Sequence, residues 1–224
     1  LSTYVKALPE LVNPQTKRIH TNFNMTVAQT GRLSSTNPNL QNIPVRSPMG
    51  EKVRKAFIAK PGKILLSADY SQVELRLLAH FSVDPTMLKS FQDNLDIHAQ
   101  TASEVLDIPI TQVTKNDRSM AKTVNFGLMY GQSSFGLAAT LKISRTEAKQ
   151  YIDKYFTRFS SIKTFLDTLK DKAEQTGYAE TLHGRKRLLP DIHSQNRTIK
   201  AQAERMAINS PIQGTAADLS LIHI

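Results

Sequence analysis

The sequence contains no cysteine and no long apolar run. Without cysteine, neither a disulfide nor a thiolate zinc site can form, so any metal ion must be held by oxygen or imidazole ligands. No apolar stretch approaches the ~18 residues of a membrane span, and the first residues, LSTYVKALPEL, lack the charged-then-apolar pattern of a secretory signal. We therefore expect a soluble, cytoplasmic protein.

Acidic residues are scarce relative to basic ones. The chain has 19 Asp and Glu against 29 Lys and Arg, a net charge of +10. Such an excess attracts a phosphate backbone through counterion release. Many basic proteins bind no nucleic acid, however, so the motifs must decide. The 224 residues, 40% of them hydrophobic, are enough for a folded core and argue against disorder.

Short-range signals predict a mostly helical middle of the chain. Three predicted helices begin at side chains that cap the first turn: Asp96 before IHAQTASEVL, Thr114 with Asp117 before RSMAKTVNFGLMYG, and Ser144 with Glu147 before AKQYIDKYF. Two short β-like runs flank His183-Gly184 within residues 178–189 and predict a hairpin. A last helix is expected over AQAERMAINS.

Asp69 follows the apolar run of residues 64–66, which has the length and flanks of a buried strand. The end of a strand is a rigid support from which a carboxylate can bind a divalent cation. The apolar period then changes and predicts a helix from about residue 73 to 82. Alternatively, Asp69 simply begins the turn into that helix.

Arg118, Lys122, Phe126 and Tyr130 recur every four residues, so they form a slanted stripe on one helical face. Such a stripe suits a nucleoside triphosphate, with the cations on the phosphates and a ring against the base or sugar. The same spacing also fits an ordinary amphipathic helix with solvated cations and rings in the core.

Four strings follow one another along the chain: TGRLSSTNPNLQNIPVR, SADYSQVELRLLAHF, DRSMAKTVNFGLMYG and AERMAINSPIQGTAAD. Together they resemble the successive signatures of family A DNA polymerases, of the bacterial DNA polymerase I-like branch. The resemblance covers nearly the whole chain. It implies an α+β, predominantly helical fold from the right-hand polymerase plan. Residues 1–82, including a loop-rich DNA-contacting segment, would belong to the palm, 83–190 to the fingers, and 191–224 to the palm again.

The resemblance implies a role for three residues near the predicted strand. Asp69 stands where the family has a catalytic aspartate that binds both metal ions, expected to be Mg²⁺ in the complete enzyme, and the backbone carbonyl of Tyr70 would join it. Glu74 stands at the steric gate, where a side chain occupies the space of a ribose hydroxyl and so disfavours ribonucleotides.

The resemblance also assigns the stripe to the incoming nucleotide. Arg118 and Lys122 would hold the triphosphate, and Lys122 is also a candidate proton donor to the leaving pyrophosphate. Phe126 would stack on the nucleotide, Tyr130 would lie by the template base, and His98 would contact the phosphates.

Polar side chains at both ends of the chain match family positions that contact primer and template: Arg32, Asn39, Gln41, Asn42, Arg205, Asn209 and Gln213. Without the resemblance, the amides among them would be interpreted as turn formers or solvated helix positions. The basic tip of the predicted hairpin fits either a phosphate contact or a solvated charge run: His183, Arg185, Lys186 and Arg187.

The implied function is template-directed DNA synthesis in replication or repair, by nucleotidyl transfer from a deoxynucleoside triphosphate to a primer 3′-hydroxyl. The expected partners are primer-template DNA and these triphosphates, bound by a monomer associated with the bacterial nucleoid. The sequence lacks the family's His-Asp-Glu motif, so we expect a fragment, truncated before the last palm hairpin and inactive alone. The alternatives are a single-subunit RNA polymerase relative and a non-catalytic nucleic-acid-binding module.

Overall fold

The computed structural model describes residues 2–44 and 47–221, which fall into two compact units, Leu1–Ser71 and Gln72–Ile224. The chain is 60% helical. Within the described residues, its sheets are two antiparallel strand pairs. These proportions confirm the predicted α+β class dominated by helices. The palm and fingers bounds at residues 82 and 190 stay a prediction.

The first unit has little regular structure. Its elements are a π-helical turn, Ser2–Ala7, then α1 (Leu8–Glu10), β1 (Asn22–Asn24), β2 (Ser34–Thr36) and α2 (Pro48–Lys55). The two strands pair antiparallel, with Phe23 opposite Ser35. Ser35 is buried, and its hydroxyl lies 2.7 Å from that of Thr21. Local polar bonds of this kind, rather than a large apolar core, stabilise the segment.

The predicted buried strand at residues 64–66 is wrong. Residues 63–70 have no regular secondary structure, and the side chains of Ile64, Leu65 and Leu66 are 87%, 66% and 87% exposed. A strand requires a hydrogen-bonded neighbour. Neither described sheet supplies one, because β1 pairs with β2 and the other two strands pair with each other. Asp69 therefore lies in exposed, irregular backbone instead of at a strand end.

The second unit is a helical assembly around one main core. Its helices are α3 (Val73–Ser82), α4 (Pro85–Gln92), α5 (Ile97–Leu106), α6 (Lys115–Met129), α7 (Ser134–Leu141), α8 (Arg145–Arg158), α9 (Ser160–Thr176) and α10 (Arg197–Leu221). Two 3₁₀ turns, Ile110–Gln112 and Pro190–His193, lie between them. Leu75, Val124, Tyr155 and Ile212 are completely buried in this core.

The predicted helix starts are confirmed by their capping bonds. Asp96 accepts from the amides of His98 and Ala99 at 3.0 and 3.1 Å. Thr114 with Asp117, and Ser144 with Glu147, form reciprocal capping boxes. Each such cap contributes about 1 kcal/mol to helix stability. The helix predicted over 73–82 is confirmed, and α10 is longer than AQAERMAINS, continuing through Pro211.

The hairpin around His183-Gly184 is confirmed as well. β3 (Tyr178–Glu180) pairs antiparallel with β4 (Lys186–Leu188). Gly184 has a φ of +82°, in the left-handed region where a residue without Cβ is favoured. The pair packs against α10 through a smaller core cluster that includes Ala179, Leu189 and Ala203. This cluster holds the hairpin on the helix.

Candidate functional site

Arg118 lies at the start of α6, and its partner is the residue that caps α5. Its Nε is 2.6 Å from Asp96 Oδ2. Burial opposes ionisation of Asp96, but the hydrogen bond from Arg118 and those from the amides of Ala99 and His98 hold the pKa of the carboxyl below its usual value. One carboxylate thus joins the two helices and orients the guanidinium.

Lys122 lies one helical turn beyond Arg118 and is exposed. It forms no ion pair with any residue that the structure describes. The pair with Asp96 uses Nε of Arg118, and its Nη atoms form no hydrogen bond with the described residues. Two adjacent cations are therefore presented on this part of α6, and Lys122 has no anionic partner among the described residues.

His98 lies in the first turn of α5 and is only 3% exposed. Burial, reinforced by repulsion from Arg118 and Lys122 and opposed by Asp96, lowers the pKa of its imidazole to about 4. The ring is therefore neutral near pH 7. Its Nδ1 lies 3.2 Å from the side-chain nitrogen of Asn125 on α6.

Three rings continue the stripe. The His98 and Phe126 centroids are 5.8 Å apart, and those of Phe126 and Tyr130 are 6.2 Å apart, within the range of favourable ring contacts. Phe126 and Tyr130 are partly buried against the main core. The stripe thus has exposed cations at one end and half-buried rings at the other.

Glu74 and Tyr130 are brought together from α3 and the end of α6. Glu74 is only 7% exposed, and the Tyr130 hydroxyl donates to its Oε2 at 2.5 Å. The next residue, Gly131, has a φ of +69°, and a Cβ there would lie 3.0 Å from Arg205 Cγ. A glycine at this position therefore allows α10 to approach the end of α6 closely.

The three candidate DNA-binding residues of α10 follow one another at four-residue spacing. Arg205 is exposed beside Gly131, and it lines a cleft of about 450 Å³ with residues of α6, α8 and α9. Asn209 donates to Gln213 at 3.5 Å, and the buried Asn209 Oδ1 has no partner among the described residues. The structure therefore places these three side chains along one side of α10.

The candidate DNA-binding residues of the first unit are all exposed: Arg32, Asn39, Gln41 and Asn42. Two of them also stabilise their own loop. Gln41 accepts from the Ser35 amide at 3.2 Å and donates to the Leu33 carbonyl at 3.1 Å, and Asn39 Oδ1 accepts from the Gln41 amide at 2.9 Å. The turn-forming interpretation thus holds for Asn39 and Gln41 in this loop.

Asp69 and Tyr70 are both exposed in the first unit. Among the residues that the structure describes, no group of three or more His, Asp or Glu side chains lies together so as to hold a metal ion. Mg²⁺ usually takes about six oxygen ligands. Asp69 and the Tyr70 carbonyl therefore fit as part of a magnesium site and do not complete one.

The two arginines of the basic hairpin tip are bonded to α10. Arg185 pairs with Asp218 of α10 at 2.9 Å and also donates to the Gly214 carbonyl at 3.1 Å. Arg187 donates to Ser210 at 3.0 Å. The remaining members of the tip, Lys186 and His183, are exposed. The arginines thus attach the hairpin to α10.

Sequence reasoning missed three polar residues around the stripe. Asp96 was identified as a helix cap but not as the partner of Arg118. Thr101 and Asn125 are completely buried and hydrogen-bonded to each other. Asn125 lies in the middle of a helix next to Val124 and Phe126, and a polar amide among apolar positions is a signal of a buried hydrogen-bond network.

These features accord with the comparisons with known proteins. Over residues 1–224 the chain matches the family model of DNA polymerase family A, and it belongs to that family. Its relatives include DNA polymerase I of Pseudomonas aeruginosa, 50% identical over 97% of this chain and 24% of the relative. Another is the thermostable DNA polymerase I of Thermus aquaticus, 47% identical over 97% of this chain and 26% of the relative.

A solved structure agrees with the same family. The POL domain of Pol1 from M. smegmatis, in complex with DNA primer-template and dNTP, superposes with a TM-score of 0.90 at 44% identity. The match covers 97% of this chain and 38% of that one. The chain spans about a quarter of the length of the curated relatives it matches. None of the described helices is long and apolar enough to cross a membrane.

Proposed function

We propose that this chain carries the nucleotide-binding surface, and one metal-binding carboxylate, of a DNA-directed DNA polymerase. The observation that carries the proposal is the joining of α5 and α6, which puts His98, Arg118 and Lys122 on one surface. Two cations and a neutral imidazole match the charge and hydrogen-bonding needs of a triphosphate. The family and its DNA polymerase I relatives favour a deoxynucleotide substrate over the RNA polymerase alternative.

Each residue of the surface then has a role in nucleotidyl transfer. Arg118 and Lys122 neutralise charge on the triphosphate, and Lys122 donates a proton to the departing pyrophosphate. Phe126 stacks on the nucleotide, and Tyr130 lies by the template base. Glu74, held by the Tyr130 hydroxyl, occupies the space of a ribose 2′-hydroxyl.

Magnesium is the expected metal. Asp69 and the Tyr70 carbonyl would provide part of its oxygen ligands, with the others coming from the triphosphate, from water and from parts of the family's polymerases that these 224 residues do not cover. When bound, the ions would lower the pKa of the primer hydroxyl and stabilise the leaving oxygens. Asp69 is therefore the candidate for the largest catalytic contribution from this chain.

Primer-template DNA is the second proposed partner. The net charge of +10 favours a polyanion, and the exposed Arg32, Asn42 and Arg205 provide donors for the duplex. The Pol1 structure from M. smegmatis, which contains primer-template and dNTP, supports both partners. We further propose palm for residues 1–82 and 191–224, fingers for 83–190, a monomeric state and a cytoplasmic, nucleoid-associated location.

Nucleotide binding by the 224-residue chain tests the surface directly. We expect a fluorescent deoxynucleoside triphosphate to bind, and Lys122→Ala to weaken that binding about tenfold, because a charge-assisted phosphate contact is lost. Lys154→Ala is the matched control, since Lys154 is also an exposed helical lysine and lies on α8. Equal effects of the two substitutions would show that only net charge matters.

Primer extension tests the activity itself. A longer polymerase, in which these 224 residues are joined to the remaining parts of a relative, is expected to incorporate deoxynucleotides in the presence of Mg²⁺, whereas the 224 residues alone are not. Duplex binding by the longer protein without any extension would instead support a non-catalytic nucleic-acid-binding module.

A further inference from the structure

The buried contact between α5 and α6 contains a network of hydrogen bonds centred on Asn125. Asn125 Nδ2 lies 3.0 Å from Thr101 Oγ1 and 3.2 Å from His98 Nδ1. Thr101 Oγ1 in turn donates to the Ile97 carbonyl at 2.7 Å. Asn125 and Thr101 are fully buried, and His98 is 3% exposed, so water competes little with these bonds.

Counting hydrogens fixes the direction of each bond. The single hydroxyl hydrogen of Thr101 faces two acceptors, the Ile97 carbonyl at 2.7 Å and Asn125 Oδ1 at 3.3 Å. The shorter contact to Ile97 takes the hydrogen, so Thr101 Oγ1 accepts from Asn125 Nδ2 at 3.0 Å. The Asn125 nitrogen must therefore face Thr101, and its second hydrogen points to His98 Nδ1. A neutral imidazole that accepts at Nδ1 carries its proton on Nε2.

We propose that Asn125 is a positioning residue that holds His98 as the neutral tautomer with the proton on Nε2, ready to donate to a nucleotide phosphate. None of the described residues bonds to His98 Nε2 in the structure. The inference rests on the proposed function, because the phosphate acceptor belongs to the nucleotide.

A neutral donor has a physical advantage at this place. Arg118 and Lys122 already bring two positive charges to the surface, and both disfavour a charge on His98. An imidazolium would add repulsion in the absence of nucleotide, whereas a neutral N–H donates to phosphate without it. The acidic group facing the ring is Asp96, and its carboxylate is already paired with Arg118.

The tautomer is measurable without any nucleotide. In the chain labelled with ¹⁵N-histidine, the long-range ¹H–¹⁵N spectrum distinguishes the protonated from the unprotonated ring nitrogen, and His98→Gln identifies the His98 signals among the six histidines. We expect Nδ1 unprotonated and Nε2 protonated at pH 7. A proton on Nδ1 would overturn the inference.

Two substitutions test whether Asn125 sets the tautomer. Asn125→Asp replaces a donor by an acceptor of the same shape, so the proton should move to Nδ1 or both nitrogens should become protonated. Thr101→Val removes the acceptor that orients Asn125, so the share of the Nε2–H form should fall. Thr164→Val is the control, because Thr164 makes the same bond to the carbonyl four residues earlier but lies on α9. Unchanged His98 signals in both test variants would contradict the proposal.

A nucleotide titration separates this inference from the proposed function. His98→Gln, whose amide can also donate, should bind a deoxynucleoside triphosphate within a few-fold of the original chain, and His98→Ala about tenfold more weakly. Asn125→Asp should resemble His98→Ala. If the original chain binds no triphosphate, the proposed function fails while the tautomer result stands. If Asn125→Asp changes the tautomer and binding is unaffected, the positioning role is wrong.

Discussion

The segment around Asp69 and the helix pair α5–α6 carry the two halves of the proposed chemistry, and they differ in how they are held. Residues 63–70 have no regular structure, and their apolar side chains are exposed. In α5 and α6, by contrast, the helices are capped, paired by Asp96 and Arg118, and joined by a buried polar network.

This difference arises because the two halves depend on interactions over different separations along the sequence. A helix satisfies its backbone internally, so α5 and α6 need only caps and one packed face. A strand must pair with another strand, and none of the described strands pairs with residues 64–66. The proposed nucleotide-binding surface is therefore organised by contacts among the described residues, whereas the segment before Asp69 pairs with neither described sheet.

The substitution Asp69→Ala should separate the contributions of the two halves most clearly. In the longer polymerase we expect primer extension to fall about a thousandfold or more, because a metal-binding carboxylate supplies several kcal/mol of transition-state stabilisation. Triphosphate binding by the 224-residue chain should be unchanged by the same substitution. Loss of that binding would show that the two halves are not separable.

The pH dependence of stability tests the burial of His98 in the α5–α6 pair. Burial lowers the pKa of His98 from 6.5 to about 4 in the folded state, so the unfolded chain binds the extra proton between these values. The contribution of His98 to the free energy of unfolding should therefore be complete above about pH 6.5. It should decrease by about 2 to 3 kcal/mol as the pH falls toward 4. Urea denaturation followed by circular dichroism measures this change.

The variant His98→Gln isolates the contribution of this imidazole, since carboxyl groups titrate in the same range. We expect its stability to fall less steeply than that of the original chain between pH 6.5 and 4. Identical slopes for the two proteins would mean that the His98 ring is not buried in solution.

A smaller effect is expected where the hairpin joins α10. Arg185→Ala leaves the largely buried carboxylate of Asp218 without its partner, so the free energy of unfolding should drop by about 2 kcal/mol. His183→Ala on the same hairpin, where the side chain is exposed, should change it by less than about 0.5 kcal/mol. Thermal denaturation of both variants tests this, and equal melting temperatures would argue against a structural role for the arginine.

The smallest expected effect concerns sugar selection. Tyr130→Phe removes the hydroxyl that holds Glu74 but keeps the ring, so discrimination against ribonucleotides should weaken about three- to tenfold. Comparing kcat/KM for deoxy- and ribonucleotides in the longer polymerase measures it. Glu74→Gln, which can still accept from the hydroxyl, should have a smaller effect. An unchanged ratio in Tyr130→Phe would show that Glu74 needs no support.

The sequence predicted those parts of the fold that are determined by residues close together along the chain. Asp96, Thr114 and Ser144 identified three helix starts, and His183-Gly184 identified the hairpin turn. The strand at 64–66 was wrong because the apolar pattern gives no information about a pairing partner.

The sequence also did not predict contacts between residues that lie far apart along the chain. Asn125 and His98 are 27 residues apart, and Glu74 and Tyr130 are 56 apart. Helical spacing put Arg118 and Tyr130 on one stripe, but it does not say which helix packs against that stripe. The family resemblance supplied site residues, yet the buried partners that orient them became visible only from the packing of α5 on α6 and from the hydrogen bond between Tyr130 and Glu74.

The exposed side chains of residues 64–66 should also affect how copies of the isolated chain associate in solution. An exposed apolar segment outside the described sheets can associate with another copy, while the net charge of +10 keeps copies apart. Salt screens that repulsion and leaves apolar attraction in place, so self-association should increase with ionic strength. Binding to DNA should decrease over the same range, because releasing condensed counterions into a more concentrated salt solution gains less entropy. Opposite salt responses would thus distinguish the two kinds of complex in one titration.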